Sequence, residues 1–462
     1  MDLDPLLLSR LQFAFLIAFH FLLPAFTIGL ASYIAVLEAL HWRTGREAYL
    51  RISVFWTRIF ALSFGMGVVS GIVMPFQIGT NWSRYAEQTA NIIAPLMGYE
   101  GLTAFFLEAA FLGILLFGRA LVPKWAHFAS AIIVALGTLF SAFWILAANS
   151  WMHTPSGFEI VGGQFVATDW SEVIFNPSFP FRFAHTVSAV YLTTAFTVIG
   201  VGAYYLRHGR HVVESRIMIG MGLLLGAVLL PMHAVIGDLH GLNSLEHQPA
   251  KIAAMEAIWD GGPEQAAVLF ALPDEKNESN RAEISIPKLA SLYLTHDTQG
   301  VVQGLKDFPP AERPPVLPVF FGFRIMIAMW LLMVLLTIWG GVLALRGRLA
   351  TSPRFLRVAT CCIPTGYIAV TAGWITTEVG RQPWVVYGHM KTAEAVSPSI
   401  TGADVAVSLL LYVIVYALIF GSGLYYLVRL VRNGLPEDLP HPTPTQRPAR
   451  PLSAATQKTG GN

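Results

Sequence analysis

Val358–Trp384 reads VATCCIPTGYIAVTAGWITTEVGRQPW. Its first 20 residues, Val358–Thr377, carry no charge, and about 20 apolar residues are what a helix needs to cross a bilayer. The run closes on Glu378, with Arg381 one turn further on. A carboxylate at the end of a membrane helix is costly unless it is paired or used. Gly373–Trp384 therefore reads as one edge of a buried redox site, whose partners must come from elsewhere in the chain.

The rest of the sequence agrees with a membrane setting. Only 13% of the 462 residues are charged, against about 25% in an ordinary soluble domain, and the mean hydropathy is +0.56. A net charge of +2 with dispersed basic residues gives no nucleic-acid surface. The two cysteines, Cys361 and Cys362, are adjacent in an apolar run. Neighbours on a helix diverge by about 100 degrees, so a structural disulfide between them is not expected. No CxxCH occurs, which removes covalent c-type haem. No Gly-rich phosphate loop sits between a strand and a helix. The first apolar run holds 27 uncharged residues and lacks an Ala-x-Ala end, so it reads as a span rather than a cleaved signal.

Nine spans are expected: Leu11–Leu37, Ile59–Phe76, Gly101–Gly118, Trp125–Ala148, Phe183–Leu206, Ile217–Gly237, Val319–Leu345, Val358–Thr377 and Val405–Val428. The fold class is an all-α polytopic bundle. Arg and Lys concentrate in alternate loops, such as Arg43–Arg51, Arg207–Arg216 and Arg346–Arg357. By the positive-inside rule those loops are cytoplasmic, the N-terminus is periplasmic and the C-terminus cytoplasmic. Residues 1–435 form the membrane domain. Residues 239–318 form a long outer loop with a short helical pattern, Pro249–Trp259. Residues 436–462, rich in Pro, Thr and Gln, read as a disordered cytoplasmic tail.

With that topology, the costly groups fall in the outer half of the bilayer. His185 and Met326 suit the two axial positions of a low-spin haem, where imidazole and thioether favour electron transfer; the alternative is a buried histidine and a core methionine. Arg324, two residues before Met326, needs an anion, and haem propionates would serve. His20 lies between Phe19 and Phe21 in an uncharged run and is either a single haem ligand or a hydrogen-bonded core histidine. Glu100 and Glu108 are eight apart, about 12 Å along a helix and on nearly one face. Paired carboxylates suit a proton relay; the alternative is one structural hydrogen bond each. Glu378 remains open between relay member, iron ligand and partner of Arg381. Lys251 and Glu256 on the loop helix fit either a quinol headgroup or a solvated face.

At these positions the sequence resembles subunit I of cytochrome bd-type quinol oxidases. The segments that carry the resemblance are SRLQFAFLIAFHF (Ser9–Phe21), FQIGTNW (Phe76–Trp82), EGLTAFFLE (Glu100–Glu108), FRFAHTVSA (Phe181–Ala189), KIAAMEAIW (Lys251–Trp259), FRIM (Phe323–Met326) and GWITTEVGRQPW (Gly373–Trp384). They run in order through nearly the whole membrane part. With 67 residues between Glu256 and Arg324, the chain resembles the short-loop, cyanide-insensitive branch.

The resemblance implies a terminal oxidase of the bacterial inner membrane that oxidises quinol outside and reduces O2 to water. It implies a low-spin haem b held by His185 and Met326 near Arg324. It also implies a high-spin haem b and a haem d, or haem b in its place, with His20 and Glu378 as oxygen-site iron ligands. Glu100 and Glu108 then match proton-delivery residues, Trp374 a tryptophan beside the oxygen site, and Lys251 and Glu256 the quinol site. Arg381 is expected on a propionate rather than on Glu378. The implied partners are subunit II, a small single-helix subunit, quinol, O2 and the lipid bilayer. Charge separation arises without pumping, because quinol protons leave outside while the protons of water come from the cytoplasm. Two other readings predict differently: a b-type electron-transfer cytochrome would take up no oxygen, and a proton-coupled transporter would hold no haem.

Overall fold

The computed structural model describes residues 3–437; the tail expected over 436–462 lies, from residue 438 on, outside the described residues. Among the described residues, nine helical spans are long and apolar enough to cross a membrane. Each expected span corresponds to one of them, but the boundaries and interruptions differ.

The first span is broken. Helix α1 (Pro5–Leu22) gives way at Leu23 to α2 (Pro24–Thr44). Proline lacks the N–H that would continue the ladder, so an uncharged run that scans as one helix becomes two. After α3 (Glu47–Asn81), the third span starts far earlier than hydropathy indicates. It comprises α4 (Ser83–Tyr99), a π-helical turn at Glu100–Phe105 and α5 (Phe106–Phe117). Glu100 thus sits mid-span rather than at its end. The polar residues of α4, among them Arg84, Glu87, Gln88 and Asn91, hid it from a hydropathy scan.

The fourth span is α6 (Lys124–His153). A hairpin, β1 (Phe158–Val161) with β2 (Gln164–Ala167), and the short α7 (Trp170–Ile174) lead to α8 (Phe179–Arg207). Helix α9 (Val212–His247) runs ten residues beyond the expected Gly237. The long loop therefore starts at Gln248, not near residue 239, and it is ordered into elements. These are α10 (Pro249–Glu256), the antiparallel pair β3 (Ala267–Asp274) and β4 (Ser279–Ile286), and α11 (Leu289–Thr295). Ala257, at φ 53, turns the chain left-handed and ends α10 before the expected Trp259. Helix α12 (Val316–Leu345) follows. The eighth span is α13 (Pro353–Cys361) and α14 (Thr365–Val379), broken at Cys362–Pro364. A small hairpin of β5 (Trp384–Val386) and β6 (Met390–Lys391), the turn α15 (Thr392–Ala395) and α16 (Gly402–Asn433) complete the chain.

The fold is mainly helical, with three two-stranded hairpins as additions to the expected all-α bundle. Helix α8 is its axis: 78% of its most apolar window is buried, against 11% for α16 at the periphery. Lipid is as apolar as leucine, so helices associate in a membrane by close packing and hydrogen bonds. Accordingly, α14 meets α8 through Gly366, where a β-carbon would stand 2.6 Å from Thr193 Oγ1. Thr194 of α8 in turn donates to the Phe26 carbonyl of α2 at 2.9 Å. At the end of the bundle remote from α10, Trp56, Phe60, Phe196 and Tyr205 are fully buried. At the α10 end, packing opens into a cavity.

Candidate functional site

Glu378 occupies the last turn of α14, where the helix dipole is negative and a carboxylate needs cations. Helices α6 and α8 and the following loop converge on it, and α10 reaches it through His153. Arg381 Nη2 lies 2.8 Å from Oε2. Oε1 accepts from Asn149 Nδ2 at 3.0 Å and faces His153 Nε2 at 3.3 Å and Arg182 Nη2 at 3.8 Å. Arg182 also donates to Asn149 Oδ1. Lys251, from α10, points at the far side of His153, with Nζ 3.2 Å from Nδ1, and donates to Gln248 Oε1. One carboxylate therefore faces two guanidiniums directly and one lysine through His153. Lys251 lies outside the spans; burial first, and the Arg182 guanidinium second, hold its ammonium well below the usual lysine range. The Nε atoms of Arg182 and Arg381 are buried without a protein partner. The cluster carries more cation than anion and has donors to spare.

Arg381 thus has Glu378 as a counter-ion while its Nε is left over. The reason is local: three residues apart across the end of α14, the two side chains meet directly. Arg182, His153 and Asn149 were not singled out in the sequence. Arg182 stands three residues before His185, and Asn149 four before His153, so each pair shares a helix face; that spacing is the signal that was there to read.

On α8 the His185 ring lies against α9. Its centroid is 4.3 Å from that of His233 and 5.3 Å from that of His240. His185 Nδ1 is buried without a partner. His233 Nδ1 bonds Ser188 Oγ at 2.7 Å. Both additional histidines lie on one helix seven residues apart, but His240 falls beyond the expected end of that span. Met326, on α12, projects towards α14 at Gly373. A β-carbon there would sit 2.9 Å from the sulfur, so this glycine clears the space that the thioether fills.

His20 Nδ1 is 3.0 Å from Ser70 Oγ, and Ser70 is itself within 3.1 Å of the Met66 and Gly67 carbonyls. Two carbonyl acceptors compete for the one hydroxyl proton, and when either takes it the Ser70 oxygen accepts from the ring. The hydrogen-bond network therefore assigns the His20 proton to Nδ1 and leaves the Nε2 lone pair free. Phe21 packs on Trp374 at 5.3 Å between centroids. Glu100, in the π-turn, accepts from Ser141 at 2.8 Å, while Glu108 Oε1 is buried without a partner. The π-turn alters the rotation between these two glutamates relative to a continuous α-helix, yet both still open onto the same space.

That space is one cavity of about 1350 Å³, with walls largely of apolar side chains. It exceeds the roughly 300–1,000 Å³ of an ordinary small-molecule pocket. His20, Glu100, Glu108 and His185 reach it from the first half of the chain, and Lys251, Glu256, Met326, Trp374, Glu378 and Arg381 from the second. Arg324 does not line it. Instead Arg324 Nη2 pairs with Glu256 Oε2 at 2.7 Å, Nε donates to the Val268 carbonyl at 2.9 Å and Nη1 to the Met255 carbonyl at 3.3 Å. Arg324 and Met326, two residues apart on α12, point about 200 degrees away from one another. Lys251 and Glu256, five residues apart, stand about 140 degrees apart around α10. Glu256 is fully buried, with Oε1 unpartnered.

Comparison with known proteins identifies the family of the chain. Residues 8–435 match the family described as cytochrome bd terminal oxidase subunit I. The chain is 34% identical over 452 residues to the cytochrome bd ubiquinol oxidase subunit 1 of Bacillus subtilis, covering 96% of this chain and 97% of that one. It is 31% identical to the cytochrome bd-II ubiquinol oxidase subunit 1 of Escherichia coli, covering 96% and 99%. The bd oxidase structure from Geobacillus thermodenitrificans superposes with a TM-score of 0.86 at 30% identity, over 94% of this chain and 100% of that one. A match that takes in nearly every span and every wall of the cavity leaves one assignment: this chain belongs to the cytochrome bd terminal oxidase subunit I family.

Proposed function

We propose that the chain oxidises quinol at the Lys251–Glu256 end of this cavity and reduces O2 to water near His20 and Glu378, as the haem-bearing subunit of its oxidase. As a family member it is a multi-pass membrane subunit of a quinol:oxygen oxidoreductase that works with a subunit II. The observation that carries the finer reading is the single large apolar cavity joining both ends.

The residues present fit haem. The two unpartnered Nε donors of Arg182 and Arg381, and a cluster with excess positive charge, suit propionates. His20 offers Nε2, with Nδ1 held by Ser70 as the outer partner of a ligating histidine. His185 with Met326 would hold a low-spin haem b. His20 and Glu378 would hold the two oxygen-site haems, a high-spin haem b and a haem d or b, with Trp374 beside them. When bound, haem supplies one-electron transfer and an open iron position for oxygen.

The chain's own groups then divide the proton work. Glu256 Oε1, buried and unpartnered, accepts the proton of a quinol hydroxyl. Lys251, whose depressed pKa favours a neutral amine, contributes a second polar contact without the cost of a buried charge. Glu100 and Glu108 carry protons towards the oxygen site. With the Arg-rich loops on the cytoplasmic side of a bacterial inner membrane, quinol protons leave at the outer face and those of water come from inside, completed by subunit II. Charge is thereby separated without a pump.

Glu256→Gln in the purified two-subunit complex tests the quinol end. Quinol-driven oxygen uptake is expected to fall about a hundredfold, the contribution of a general base, while uptake from a phenylenediamine donor is retained. Equal activity with both donors refutes the assignment.

A further inference from the structure

Helix α11 brings a phenol to the substrate end of the cavity. Tyr293 lines the wall shared by Lys251, Glu256 and Met255. Its ring is seated rather than loose: with Leu245, Met255 and Leu289 it packs on the buried cluster of Ile252, Ile258, Ala290 and Leu294. The same cluster supports both flanks of α10, so Tyr293 and Glu256 are positioned by one piece of core.

Glu256 presents two unlike oxygens. Oε2 is engaged by Arg324 at 2.7 Å, whereas Oε1 is buried with no hydrogen-bond partner. Leaving a buried carboxylate oxygen unsatisfied is costly, and it is the geometry of an acceptor set out for a ligand hydroxyl. A hydroxyl that gives its proton to Oε1 has lone pairs left and requires a donor. Besides Lys251, a donor on this wall is the Tyr293 hydroxyl, which lies close enough to the Glu256 carboxylate to interact with it. Burial, and next the Glu256 carboxylate, raise the phenol's pKa, so it keeps its proton.

We propose that Tyr293 is a further quinol-binding residue, donating a hydrogen bond to the same headgroup oxygen whose proton faces Glu256 Oε1. This rests on the quinol reading above and extends it: the site recognises one oxygen of the headgroup from both sides, by an acceptor on α10 and a donor on α11. Tyr293 transfers no proton. Its bond strengthens as the quinol oxygen loses its own, which orients the hydroxyl for Glu256.

The test compares Tyr293→Phe with Glu256→Gln in the holo-complex with subunit II, using short-chain benzoquinol and naphthoquinol in parallel with a phenylenediamine donor. Tyr293→Phe is expected to raise the quinol KM about three- to tenfold, the weight of one neutral hydrogen bond, with phenylenediamine-driven oxygen uptake and haem spectra as in the parent. An unchanged KM for both quinols, while Glu256→Gln has lost quinol oxidation, overturns the inference and leaves the quinol site standing. Equal losses with quinol and phenylenediamine overturn it as well. If Glu256→Gln itself spares quinol oxidation, the parent reading fails and this one with it.

Discussion

Replacing Arg324 by methionine separates two roles that the sequence alone could not. The guanidinium is the counter-ion of the fully buried Glu256, the donor to the Val268 and Met255 carbonyls, and stands 4.5 Å over the Phe320 ring. Methionine keeps most of the packing and removes every donor. Breaking a buried ion pair from one side costs about 3–5 kcal/mol, because a charge is left uncompensated. The Arg324 side chain is 19% exposed, which places the expectation at the lower end, about 3 kcal/mol. The strain falls where the contacts were, on the junction of α10 and β3. Opening of Ala267–Asp274 is then favoured about a hundredfold, which native-state amide exchange reads directly in that strand. A double variant with Glu256→Gln removes the stranded charge. It is expected to exchange more slowly than Arg324→Met alone, with a coupling of about 1 kcal/mol or more. Unchanged exchange in β3, or strict additivity in the double variant, would refute the clamp. A shift of the low-spin haem potential with β3 undisturbed would restore the propionate role expected from the sequence.

Two further outcomes follow from the same geometry. Met326→Leu is expected to convert the low-spin haem towards high spin in reduced-minus-oxidised and electron paramagnetic resonance spectra; unchanged low-spin bands would exclude the His185–Met326 pairing. Lys251→Met is expected to lose quinol oxidation yet melt higher than the parent at neutral pH. The native pKa of Lys251 lies below its unfolded value, so the unfolded chain binds the extra proton and parental stability rises with pH through that window. The variant's advantage shrinks as pH approaches about 10, near the ordinary lysine value. A pH-independent gap in melting temperature would show that Lys251 is charged in the fold.

The spans and several of the ionisable cavity residues were legible because each signal is local. Uncharged runs mark helices, and an ionisable group inside one marks a site. What was not legible depends on where elements end and which way side chains turn. The extension of α9 to His247 put Asp238 and His240 on a helix rather than in a loop. The polar face of α4 concealed half of the third span. Arg182 went unread, although its place one turn before His185 puts both on one face. The partners of Arg324 and the His153 contact of Lys251 were beyond reach of the sequence, since they are decided by helical phase and by neighbours far away in the chain.

Arg324 and Met326 stand on one helix, the first fixed to the carboxylate of the substrate end, the second in the cavity wall beside α14. Their separation along α12 is two residues, about 3 Å of rise, and is thus a matter of covalent repeat rather than of side-chain packing. Movement of α10 or β3 cannot stretch this interval. The distance from the Glu256 carboxylate to the cavity wall at Met326 is therefore gauged by less than one turn of a single rod.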